Sequence, residues 1–128
     1  MWDLHLKHKD ITGIIIGCAF TVHNELGYGF LEKVYKNALL IELESSGLKA
    51  ESERPVKVKY RNKIVGDYIA DIIVNNEVII EVKAIKELAL IHEVQLVNYL
   101  KATGIETGLL INFARSVDIK RKVLDFKQ

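Results

Sequence analysis

The residues best suited to chemistry are Asp71, Glu81 and Lys83, each set in a segment that otherwise reads as buried strand. Ile72-Ile73-Val74 follows the aspartate, and Val78-Ile79-Ile80 precedes the glutamate. Near-continuous β-branched runs of this kind mark strands covered on both faces. A carboxylate there is costly unless something compensates it. Glu81 and Lys83 are two apart, so in a strand they point to the same side. Two carboxylates and an ammonium converging at one edge of a sheet make a small divalent-cation site with a lysine beside it. The competing reading is a structural ion pair in which Lys83 neutralises Glu81 and Asp71 ends a strand.

The elements that must position these groups follow from periodicity. Residues 10–26 read as a helix with Asp10 as N-cap and Ile11, Ile14, Ile15, Cys18, Ala19 and Val22 at helical spacing. Gly27-Tyr28-Gly29 breaks it. A second helix runs over residues 30–46, with Leu31, Val34, Tyr35, Ala38 and Leu39 on its apolar side and Gly47 as its stop. Gly29, Glu32 and Tyr35 are three apart and share one ridge. An exposed Glu32 paired with Lys36 is the bland alternative. Strands follow over residues 52–60, with Pro55 suggesting an edge, and 64–74, with Gly66 as a bend. Asn75-Asn76 makes a tight turn, and the chain returns antiparallel to Lys83. A helix over residues 88–103 ends at Gly104 and carries His92, Gln95 and Tyr99 on one face. Residues 105–113 read as a strand parallel to the Glu81 strand, reached by a crossover. The tail, residues 117–126, fits a last strand or a short helix.

The hairpin register is open. If Asn75 and Asn76 alone form the loop, Asp71 pairs with Ile80 and faces away from Glu81. If Glu77 joins the loop, or a bulge adds one residue, Asp71 pairs with Glu81 and the two share a face.

Composition bounds the answer. The 128 residues, 49% apolar and 27% charged, fit one ordinary globular domain spanning 1–128. No apolar run approaches the roughly 18–20 residues of a membrane helix. Met1-Trp2-Asp3-Leu4-His5 lacks the apolar core of a signal peptide. Cys18 is the only cysteine, so an internal disulfide or a cysteine-based metal site within the chain is excluded. A cytoplasmic location is expected. The net charge of +1 does not argue for nucleic acid by itself. Two basic groups, Lys57, Lys59, Arg61 and Lys63, and Lys120-Arg121-Lys122, read equally as solvated strand faces.

Asp71, then Glu81 ten residues on, then Lys83, fits the Asp…Glu-X-Lys pattern of the PD-(D/E)XK nuclease superfamily. The element order, α-α-β-β-β-α-β, also looks like that superfamily's core, a restriction-endonuclease-like α/β fold with a mixed sheet of about four to five strands flanked by helices. Gly29-Phe30-Leu31-Glu32-Lys33-Val34-Tyr35 resembles the defining motif of its GxxExxY branch. Val22-His23-Asn24-Glu25-Leu26-Gly27, the segment from Ile91 to Leu100, and Gly108-Leu109-Leu110-Ile111-Asn112-Phe113 add to the likeness, which covers nearly the whole chain. Ala70 stands where the superfamily's name has proline. The resemblance favours the register that sets Asp71 beside Glu81.

The resemblance implies a nuclease that hydrolyses DNA phosphodiester bonds with Mg²⁺ or Mn²⁺. Asp71 and Glu81 are then the main metal ligands, with the backbone carbonyl of Val82 as another. Glu32 completes the site or holds a metal-bound water. Lys83 orients the attacking water or stabilises developing charge, and Gln95 positions a water or the DNA backbone. His23, Tyr35, His92 and Tyr99 are weaker candidates for substrate contact, with packing their commoner role. His92-Glu93 is not the zinc motif, because Leu96 occupies its last position. A homodimer is a further expectation, since so small a domain has little room to encircle DNA. The alternatives are a non-catalytic nucleic-acid-binding or regulatory module that kept the fold, and an interaction protein whose charge cluster is structural.

Overall fold

The computed structural model describes residues 4–126, with side chains from residue 10 onward. The reading of the first three residues lies outside them. The order is α1 (Leu4–Leu26), α2 (Glu32–Ser45), β1 (Ala50–Tyr60), β2 (Lys63–Val74), β3 (Val78–Lys83), α3 (Leu90–Thr103), β4 (Thr107–Phe113) and β5 (Val117–Val123). The five strands form one mixed sheet in the order β1-β2-β3-β4-β5, and only the β3–β4 pairing is parallel. The ambiguous tail is therefore a strand, and it closes one edge. Pro55 lies in β1, at the other edge, where its missing N–H breaks no central ladder.

Alternation along the strands sorts two cores. Ile72, Val74, Ile80 and Val82 pack with α1 and α2 on one face, while Ile73, Ile79 and Leu110 pack with α3 on the other. The result is three layers, helix–sheet–helix. Burial on α1 follows Ile11, Ile15, Cys18, Ala19 and Val22, whereas Ile14 is exposed. Asp10 is not a cap, because α1 begins before it. On α2 the buried stripe is Tyr35, Leu39 and Leu43. Leu31 and Val34, expected inside, are exposed. The helix starts only at Glu32, so Leu31 is an extended N-cap outside the packed turns. Gly108 lets α3 approach β4 closely: a Cβ there would lie 2.8 Å from the Leu96 Cδ1 atom. No helix among the described residues is long and apolar enough to cross a membrane.

The β2–β3 hairpin decides the register. Asn75 and Asn76 both have positive φ, and the Glu77 N–H closes the turn onto the Val74 carbonyl at 2.9 Å. Glu77 is then an extra residue, so Val74 pairs with Val78, Ile73 with Ile79 and Ile72 with Ile80. The tight turn and the added residue occur together.

Candidate active site

One step beyond the last β2–β3 pair stand Asp71 and Glu81. The ladder stops there because the two carboxylates enter it. The Asp71 N–H donates to Glu81 Oε2 at 2.9 Å, and the Val82 N–H donates to Asp71 Oδ2 at 2.8 Å. Each strand thus gives an amide to the other's side chain instead of to its carbonyl, and the strands splay into a wedge. Asp71 Oδ1 and Glu81 Oε1 take no part in these bonds.

Glu81 is only 7% exposed, and its carboxyl is pushed up to about 8. Burial is the largest cause and the Asp71 charge the next; the Asp71 N–H and then Lys83 act against them. A structural Lys83–Glu81 pair would reverse that balance. Among the described residues no ion pair within 4.0 Å joins Lys83 to either carboxylate.

Glu32 reaches the wedge from the first turn of α2. Its carboxyl is raised by partial burial, and the charges it feels most are Lys83, which lowers it, and Asp71, which raises it, both ahead of Lys36. The bland pairing with Lys36 does not form. Lys36 instead holds Glu53 at 2.9 Å. The Gly-x-x-Glu-x-x-Tyr spacing has a mechanical meaning. Tyr35 is fully buried and stacks on Phe113 at 4.6 Å. Its hydroxyl donates to the Gly27 carbonyl at 2.6 Å and accepts the Phe30 N–H at 3.2 Å. Gly29 between them has φ +107°, a conformation that side chains resist. The tyrosine therefore pins the loop that delivers Glu32. It has no exposed surface to offer a substrate.

On the α3 side, the Gln95 amide donates to the Tyr99 hydroxyl at 3.4 Å. Burial raises the Tyr99 hydroxyl, as do the Glu81 and Asp71 charges, so this tyrosine adjoins the wedge. The two other aromatic candidates do local work. His23 Nε2 donates to the Ala114 carbonyl at 2.9 Å, tying α1 to the β4–β5 turn. His92 Nδ1 accepts the Ala89 N–H at 2.9 Å and caps α3. Asn112 reads from the sequence only as part of a buried strand, yet it stands beside the site. It is buried opposite Lys83 in the β3–β4 register, and its amide clamps Ile85 twice, at 3.0 Å and 2.9 Å. A lone asparagine inside an apolar strand is the signal that marks it.

A family model for the PD-(D/E)XK nuclease superfamily matches residues 9–123. The chain belongs to that superfamily. PD-(D/E)XK nucleases generally use divalent metals. Among solved structures, the chain is similar to one titled "Crystal structure of SSO0001", at 21% identity and a TM-score of 0.58. That match covers 73% of this chain and 52% of the other, so this sequence spans about half the length of that protein, and the likeness speaks for the fold. No curated protein matches. The donor set suits the metals this superfamily uses. It is all oxygen, and one buried carboxyl is raised by its neighbour's charge, which a hard cation would relieve. Among the described residues no three His, Cys, Asp or Glu side chains form a ready-made cage. Two carboxylates supplemented by water and phosphate oxygens are how Mg²⁺ is commonly held.

Proposed function

We propose that this chain is a metal-dependent nuclease that hydrolyses phosphodiester bonds in DNA, within the GxxExxY branch of its superfamily. The reading is supported above all by the reciprocal Asp71–Glu81 clasp, which holds two carboxylates in one gap with Lys83 two residues on. Asp71, Glu81 and the Val82 carbonyl would hold Mg²⁺ or Mn²⁺, and Glu32 would act through a bound water. The cation, when present, supplies charge relief on the phosphate and a more acidic water. Lys83 would orient the attacking water and offset charge developing on the phosphorus oxygens. Glu32, its carboxyl raised by partial burial, would hold that water from the α2 side. Gln95 would steady the phosphate backbone. Tyr35 and Asn112 position Glu32 and Lys83 without touching the substrate.

The test is cleavage of a panel of single-stranded, duplex and branched DNA with Mg²⁺ or Mn²⁺, comparing the unaltered protein with Asp71→Ala and Lys83→Ala. Both variants should keep their circular dichroism spectrum and lose cleavage by about a hundredfold or more. No cleavage of any form, or variants as active as the parent, would overturn the reading. The near-neutral net charge of +1 favours a second one, a non-catalytic nucleic-acid-binding module. Salt-sensitive binding without metal-dependent turnover would establish it.

A further inference from the structure

On the α3 face a groove of about 770 Å³ runs between the β1–β2 ribbon and α3. Tyr68, Tyr99, Ile91 and Val94 line it together with Lys59 and Lys101. Gln95 lines it too. We infer that this groove receives a single strand of DNA and leads its unpaired bases to the Asp71–Glu81–Lys83 wedge. The inference rests on the nuclease reading and names its substrate form.

Three observations carry it. The first is continuity. Tyr99 lies where groove and wedge meet: its ring sits 5.8 Å from that of Tyr68, and its hydroxyl feels the Asp71 and Glu81 carboxylates. The second is the mixture of side chains. Tyr68 is 48% exposed and presents a ring on which a base can stack, while Lys59 and Lys101 answer the phosphates. Lys57 also lines the groove, but Asp67 holds its ammonium at 2.6 Å, so it answers a phosphate less readily. The third is charge placement. Between Arg54 and Ala70 the ribbon carries five basic residues against Asp67 alone, in a chain whose net charge is only +1.

The lining argues against a duplex. Bases in a duplex stack on one another and show only their edges, while phosphates face outward. An apolar groove with tyrosine rings would then meet charged backbone and leave its aromatic surface unused. An unpaired strand uses both parts at once: base on ring, phosphate on lysine.

The experiment is fluorescence anisotropy with the whole chain in EDTA, which prevents turnover. The probes are a labelled strand of about 15 nucleotides and its duplex. The single strand should bind at least about tenfold more tightly. Tyr68→Ala should weaken single-strand binding about tenfold, while Tyr68→Phe, which keeps the ring, should not. Lys59→Ala with Lys101→Ala should reduce the salt slope by about one to two. Equal or tighter binding of the duplex, or no effect of Tyr68→Ala in a folded protein, would overturn the groove. Asp71-dependent duplex cleavage with no single-strand preference would sink the groove and leave the nuclease. Single-strand binding that follows Tyr68 without metal-dependent cleavage would sink the nuclease and leave the groove.

Discussion

Asp71 and Glu81 hold each other's strands apart: Glu81 takes the Asp71 N–H at 2.9 Å, and Asp71 takes the Val82 N–H at 2.8 Å. The exchange keeps the Asp71 and Val82 amides satisfied while the ladder ends. It also leaves a carboxyl buried beside a like charge, and that has a measurable cost.

The Glu81 carboxyl sits at about 8 in the folded chain against 4.5 in its absence of surroundings. The native state therefore binds this proton more tightly than the unfolded chain. Stability should be highest near the ordinary carboxylate range, fall as pH rises from there toward about 8, and then level off. The loss should be on the order of a few kcal/mol. Urea unfolding across that range in EDTA measures it. Saturating Mn²⁺ should flatten the slope, and so should Glu81→Gln. A slope unchanged in Glu81→Gln would assign it to another group.

Deleting Glu77 should remove the extra loop residue and return the hairpin to a two-residue turn. Val74 would still meet Val78 across that turn, so Asp71 would keep its place opposite Glu81. The expected outcome is Mn²⁺ binding by calorimetry close to that of the parent; its loss in a protein that still shows helix and strand by circular dichroism would mean that Glu77 itself supports the site.

Tyr35→Phe keeps the stack on Phe113 but removes the hydroxyl that joins Gly27 and Phe30. Stability should drop by about 1 kcal/mol, since a part-buried carbonyl and amide lose their partner. Turnover should fall with Mn²⁺ affinity nearly unchanged, because Glu32 loses its fixed approach while Asp71 and Glu81 stay in place.

Asn112→Ala should release the chain at Ile85, just past Lys83. A cost of about 1–3 kcal/mol is expected from the unpaired Ile85 groups. Single-turnover cleavage should slow further than stability alone explains, and Mn²⁺ affinity should hold.

Much of this arrangement is legible in the chain itself. Ile72-Ile73-Val74 and Val78-Ile79-Ile80 announce a doubly covered hairpin, and Gly104 and Gly47 end their helices as their types demand. The register was not legible, because adding Glu77 to the turn changes no local preference and shows only in what lies across the sheet. The spacing of Leu31 and Val34 suits a helix face, yet both are exposed; the Tyr35 latch starts the helix at Glu32 and leaves Leu31 outside it. Tyr68 carries no mark in the sequence, because its ring meets Tyr99 only once α3, distant along the chain, folds against the ribbon. The roles of His23 and His92 depended on which backbone group each ring would meet, Ala114 and Ala89, and spacing carries no record of that.

The β1–β2 ribbon is far longer than the three residue pairs that join β2 to β3, and from Lys59 to Ile69 it has no buried residue. It bears Tyr60 on the edge strand β1, and Ile64, Val65 and Ile69 on the stretch of β2 beyond its pairing with β3, all in the open, a combination prone to pairing with another copy. Lys59, Arg61 and Lys63 interrupt that row and act as gatekeepers. Neutralising the two lysines by acetylation, or all three residues by mutation, should turn the ribbon into a template for stacking strand on strand, with turbidity rising at concentrations where the parent stays clear.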